Sequence, residues 1–212
     1  MTELHDILPK ELKVTLESLD YQEDGGLLIT GIKFLENNLR VDFTLSFGGI
    51  DRPNEFWQIA IEGLKKEKIV FNGASYLEFY SDHCLLFEFT DNYIELYYNG
   101  KVDNSAELFI DLYQLHQARY HKFLDFGIGI NAPDGILDLC KRENGLFARG
   151  SKQILEQYAK CLANHGTKTN FIGEINKENT NVKLLLFGDS YFVAESFKFR
   201  CLSQKDMGEG VL

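Results

Sequence analysis

The stretch Tyr76–Gly100, YLEFYSDHCLLFEFTDNYIELYYNG, decides how the rest of the chain is read. Its apolar and polar residues alternate, as they do where successive side chains point to opposite faces of a strand. Asp91-Asn92 suits a two-residue hairpin turn, which would set Thr90 opposite Tyr93, Phe89 opposite Ile94, Glu88 opposite Glu95 and Phe87 opposite Leu96. In that register Phe87, Phe89, Ile94, Leu96 and Tyr98 share a buried face, while Leu86, Glu88, Glu95 and Tyr97 share the other. An antiparallel meander at the heart of the fold is expected here.

Working upstream, Ile69 to Phe71 followed by Asn72-Gly73 reads as a hairpin entering the meander, and Lys65–Lys68 as a solvated charge run. Trp57, Ile59 and Ile61 alternate with polar neighbours as a strand, and Gly48–Asn54 breaks the sheet before it. The clearest strand holds Leu39, Val41, Phe43, Leu45 and Phe47 on one side and Arg40, Asp42, Thr44 and Ser46 on the other. Leu27–Leu35 lies between turn signals at Glu23–Gly26 and Glu36–Asn38. Leu8, Leu12, Leu16 and Leu19 have helical spacing, with Pro9 in a first turn, but Val14–Leu16 also alternates; a short helix and then a strand is expected.

Downstream of Gly100 the period changes to that of a helix. Asn104 with Glu107 resembles a capping box, and Leu108, Leu112 and Leu115 follow on one face to near His121. Phe123–Arg149 is Gly-rich and irregular, with a short helix over Pro133–Arg142, and is a candidate functional loop or hinge. Ser151 is an N-cap for a helix with the stripe Ile154, Leu155, Tyr158, Cys161 and Leu162, stopped by Gly166. Thr169–Ile175 reads as a strand, Asn176–Asn181 as a polar turn, and Val182–Phe187 with Tyr191–Cys201 as a closing hairpin; residues from Gln204 fray. The expected fold class is α+β: one domain over residues 1–212, β-rich over about 14–100, helical with a hairpin over about 101–203.

An apolar share of 44% over 212 residues is enough for a real core. The formal net charge of −10 argues against a nucleic-acid backbone as partner, because binding phosphates draws on surplus Lys and Arg, and a basic partner is the easier case. No stretch has the length and apolarity of a membrane span, and Met1–Asp20 has no leader pattern. Cys84, Cys140, Cys161 and Cys201 are scattered, which points to reduced thiols in a cytoplasm and not to a disulfide framework. His5, His83, His116, His121 and His165 lack metal-ligand spacing, Gly127-Ile128-Gly129 is only a fragment of a nucleotide loop, and no metal or cofactor is expected. Ser81-Asp82-His83 contains the residue types of a triad, but adjacent residues cannot form the relay; a polar loop is expected.

LLLFGDSYFVAE, Leu184–Glu195, resembles the first block of the GDSL hydrolases, in which an apolar strand delivers a Gly-Asp-Ser. The resemblance implies Ser190 as a nucleophile on an ester. A serine hydroxyl needs a His to take its proton, and no D-x-x-H block follows: only 22 residues lie beyond Ser190, none of them His. Read from the residues alone, Gly188-Asp189 is a two-residue hairpin turn.

The remaining feature is the placement of carboxylates. In the expected register Glu88 and Glu95 stand opposite one another and Glu78 joins them; like charges so placed cost about 0.2–1 kcal/mol unless neutralised. Either water and a lysine such as Lys33 or Lys68 screen an exposed face, or Glu78, Glu88, Glu95, Tyr93 and Tyr97 form a recognition surface for Arg or Lys of a basic protein. A carboxylate pair for glycoside cleavage is a third reading. The expected function is a non-catalytic intracellular binding protein, of a chemistry that fits an antitoxin or immunity-type inhibitor. The alternative is a serine hydrolase using Ser190.

Overall fold

The computed structural model describes residues 7–48, 52–120, 123–175 and 181–203. Expectations placed on residues 49–51, 121–122, 176–180 and 204–212, among them the frayed tail, lie outside the described residues. The protein is α+β with antiparallel sheets, as its periodicities require. The chain divides into two compact units: the first joins 1–83 to 181–212, and the second is the segment 84–180.

The first unit opens with α1 (Lys10–Leu16) and α2 (Leu19–Asp24). Val14–Leu16 therefore belongs to a helix and not to a strand, because Leu12 and Thr15 bury one helical face. Strands β1 (Gly26–Leu35), β2 (Asn38–Ser46) and β3 (Glu55–Glu62) follow at the expected places. Next come β4 (Lys66–Lys68) and β5 (Leu77–Tyr80). The charge run expected to be merely solvated is thus an edge strand, where lysines discourage pairing with another chain. Ile69–Phe71 does not make a hairpin into β5, whose partner comes from the far end of the sequence.

That partner is β9 (Lys183–Phe187), which turns into β10 (Ser190–Ala194), followed by β11 (Ser196–Leu202). Ser190 pairs with Phe187, so Gly188-Asp189 is the two-residue turn of a hairpin, as expected. The second run of that hairpin divides at Glu195, and its halves join different sheets. One sheet has the order β1-β2-β3-β11 and the other β4-β10-β9-β5. Their inner faces share one core, in which Phe43 meets Phe187 edge-on at 5.4 Å and Phe79 meets Phe197 at 5.2 Å. This is a two-sheet sandwich with apolar side chains on the shared inner faces; β9 and β10 also bury Leu184, Leu186 and Val193 on their other face.

Because Tyr80 at the end of β5 pairs with Leu184 at the start of β9, the chain leaves and re-enters the sandwich on adjacent strands. The second unit therefore occupies the place in the chain of a hairpin loop. It begins with a 3₁₀ turn, Cys84–Leu86, and α3 (Phe87–Thr90), then β6 (Tyr93–Asn99) and α4 (Ser105–Tyr120). It continues with α5 (Ile136–Lys141), β7 (Asn144–Ser151), α6 (Lys152–Asn164) and β8 (Lys168–Ile175). The Phe123–Arg149 segment thus contains a strand as well as a short helix.

The central meander is corrected here. Cys84–Thr90 is helical, Asp91-Asn92 is not a hairpin turn, and Glu88 does not face Glu95. The sheet order β7-β6-β8 explains why: both edges of β6 are filled by longer strands from further along the chain, leaving none for residues 85–90. Consecutive Leu85 and Leu86 are both buried, a pattern a helical turn can satisfy and an alternating strand cannot. Asp91 instead serves α6. Its Oδ2 accepts hydrogen bonds from the Ser151 hydroxyl and from the Gln153 N–H at 2.8 Å, near the positive end of the helix.

Candidate functional site

The alternation of β6 sends Ile94, Leu96 and Tyr98 into a core with Leu108 and Leu112 of α4 and Leu155 and Tyr158 of α6. A buried polar link fastens those helices together. The Leu124 carbonyl can only accept, so it takes the proton of His116 Nε2 at 2.7 Å, and the Tyr158 hydroxyl donates to Nδ1 at 2.7 Å. Burial pushes the Tyr158 phenol well above its ordinary range.

Tyr93, Glu95 and Tyr97 must then lie on the opposite face of the sheet. Register places Tyr93 beside Ser151 and Ile175, Glu95 beside Arg149 and Ile172, and Tyr97 beside Leu146 and Asn170. Arg149 Nε approaches Glu95 Oε1 at 2.8 Å, and the Tyr97 hydroxyl donates to Glu95 Oε2 at 3.0 Å. That hydrogen bond, with the negative charge behind it, raises the Tyr97 pKa. At the β8 side, Lys152 Nζ and Asn92 Nδ2 hold Glu174 Oε1 at 3.0 and 2.6 Å and lower its pKa. Between these groups Tyr93, Ile172 and Ile175 are 38%, 49% and 62% exposed. The arrangement is an apolar patch beside an oriented carboxylate–guanidinium pair.

Of the five binding residues read from the sequence, this face unites Tyr93, Glu95 and Tyr97. Glu78 lies on β5 of the sandwich, exposed, with the Tyr80 hydroxyl donating to its Oε2 at 2.6 Å. Glu88 is exposed on α3. The partners missed were Arg149, Ile172 and Ile175. The strand pattern of Thr169–Ile175 contains both isoleucines, whereas Arg149 falls in the Gly-rich Phe123–Arg149 segment, whose composition gives no strand signal.

The outer edge of β7 is covered. Gly129, at φ 79°, accepts the Arg149 N–H at 2.8 Å, and the Asn131 N–H reaches the Phe147 carbonyl at 2.8 Å. The Gly127-Ile128-Gly129 stretch is thus part of a loop lying along the strand.

Ser190 is 1% exposed, and its hydroxyl accepts from the Val70 N–H at 2.9 Å while donating to the Val70 carbonyl at 3.2 Å. This stitches the loop before β5 onto the hairpin. A groove between α4 and α6, of about 390 Å³, is lined by Asp111, Gln114, Lys160, Cys161 and Asn164. Burial pushes the Cys161 thiol up to about 11, so it stays protonated at neutral pH and is a poor nucleophile. Among the described residues no group of three or more His, Cys, Asp or Glu is gathered as a metal would require, and no helix is long and apolar enough to cross a membrane. Comparison with protein-family models, with curated proteins and with solved structures finds no match.

Proposed function

We propose that this is a non-catalytic, cytoplasmic binding protein that engages a basic protein partner through the open face of the β7-β6-β8 sheet. The observation that carries the reading is the asymmetry of that sheet: one face is packed core, and the other presents Tyr93, Ile172 and Ile175 beside the fixed Glu95 carboxylate. Aromatic and aliphatic side chains that desolvate readily supply affinity, and an oriented charge supplies register. The net charge of −10 supports a cationic partner through long-range steering. The four cysteines form no disulfide among the described residues, which supports a reducing compartment. The surface keeps Tyr93, Glu95 and Tyr97 and leaves out Glu78 and Glu88. An inhibitor of the antitoxin or immunity type remains a fitting description of such chemistry.

The hydrolase alternative is disfavoured by the burial of the Ser190 hydroxyl, which gives its proton to the Val70 carbonyl and accepts from the Val70 N–H. A fluorophosphonate probe should leave Ser190 unlabelled. The binding reading is tested by retaining partners from the source cell on the immobilised full chain at low and high salt. The wild type should hold a basic protein at low salt; Tyr93→Ser with Ile172→Ser should lose it, and Glu95→Gln should weaken it. Retention indifferent to salt and to all three substitutions would sink the proposal.

A further inference from the structure

In the β1-β2-β3-β11 sheet, inward pointing of Val41, Ile59 and Ile61 leaves the alternate residues outside. Register then aligns Lys33, Arg40, Ala60 and Lys198 in one row across all four strands, with Gly31, Asp42, Gln58 and Arg200 in the next. With strands about 4.8 Å apart, the row runs roughly 14 Å from Lys33 to Lys198. Ala60 leaves a low floor between two long cations.

This strip is out of keeping with its surroundings. The unit that carries it has 12 Lys and Arg against 19 Asp and Glu, a net of −7, yet here four cations face two carboxylates, Asp42 and Glu62. Lys33 and Arg40 stand directly opposite, which is unfavourable in a sheet without a counter-charge. Arg40 Nη2 reaches Asp42 Oδ2 only at 3.4 Å, and the other Asp42 oxygen accepts from Gln58 Nε2 at 2.8 Å. Arg40 Nε is buried without a hydrogen-bond partner among the described residues. Lys198 is taken by Glu62 at 2.5 Å, whereas Lys33 is exposed and has no acidic partner among the described residues.

We infer that this outer sheet face docks an extended acidic segment of a partner protein along the Lys33–Arg40–Ala60–Lys198 row. The surface is in the other unit from the one proposed above and suits a partner group of opposite charge. Charge complementarity selects the occupant. The full row from Lys33 to Lys198 is too long for one small anion to span, whereas successive carboxylates of an extended chain can meet its cations in turn. A bilayer or a nucleic-acid duplex would bring a broad negative field against a unit of net −7, whereas a short segment meets only the strip. Single-stranded nucleic acid relies on aromatic platforms, and this row has Ala60 at that place.

The test uses the full chain and a fluorescein-labelled oligoglutamate peptide, read by fluorescence anisotropy at low and at physiological ionic strength. Saturable, salt-sensitive binding is expected. Lys33→Gln with Arg40→Gln should weaken it by about fivefold, the sum of one exposed and one half-buried charge contact. Lys33→Gln alone, at an exposed site that cannot unfold the sheet, should give about twofold. Lys101→Gln, outside the strip, should change nothing. Absence of binding at low salt overturns the inference, as does equal binding by the strip and control variants. Phosphatidylserine vesicles bound with the same dependence on Lys33 and Arg40 would overturn it in favour of a membrane. Self-association abolished by the double substitution would overturn it in favour of a second copy.

Discussion

Gly188-Asp189 and Asp91-Asn92 carry the same turn chemistry, and the chain uses them in opposite ways. The first closes the β9–β10 hairpin: both flanks are buried strands of one sheet, with Phe187 and Ser190 each 1% exposed. Gly188 sits at φ 58°, where a side chain is strained, and an added Cβ would lie 2.6 Å from that of Ala74. The second dipeptide follows a helical turn, and Asp91 caps α6, 60 residues away. A turn pair reverses the chain only when both flanks find places in the same sheet. Where the sheet is filled by other strands, a short carboxylate is as useful to a distant helix end.

The largest effect that could break this comparison lies in the flanks. Phe187→Ala should cost about 3–5 kcal/mol, because a fully buried ring leaves a cavity in the sandwich core. Phe89→Ala, at a half-buried helical position, should cost under about 1.5 kcal/mol. Urea unfolding of both variants checks the pair; equal losses would mean that residues 85–90 are packed like a strand after all.

Next in size is Gly188→Ala, expected to cost about 2–3 kcal/mol from the left-handed backbone and the contact with Ala74. Gly73→Ala, with nothing within 4 Å of the added carbon, should be neutral or slightly stabilising. Thermal midpoints separate the two.

Asp91→Ala should cost about 1 kcal/mol, the usual loss of a helix cap. Hydrogen exchange should accelerate at the Gln153 amide and the first turn of α6 while β9 and β10 are unchanged. Acceleration confined to Tyr93 and Ile94 instead would restore the hairpin reading.

The smallest effect is invisible at neutral pH. Burial pushes Tyr21 of the sandwich and Tyr120 of the second unit from 10.0 up to about 12. Folding favours the neutral phenol in each, so its contribution is complete below pH 10.0 and is lost as pH rises through about 12. Both units should weaken in that window, and tyrosinate absorbance should rise with unfolding. Tyr21→Phe should shift the alkaline midpoint upward, and a phenol titrating fully near its ordinary value in the folded protein would refute its burial.

By itself the sequence determined the class of most elements. Strands such as Leu39–Phe47 and helices such as the one carrying Leu155, Tyr158 and Leu162 were legible, because each buries one face and its period records that burial. The Gly188-Asp189 turn was legible because only a hairpin joins two apolar runs so closely. Tertiary structure alone decided pairing. That β5 joins β9 across the inserted unit, that β6 is flanked by β7 and β8, and that Glu95 meets Arg149 while Glu88 and Glu78 lie elsewhere are outcomes of competition among strands for the same edges. Local alternation assigns a side chain to a face of its own strand. It carries no information about which strand fills the neighbouring edge, since backbone hydrogen bonds are the same for every sequence and only the summed burial over the whole sheet discriminates among partners.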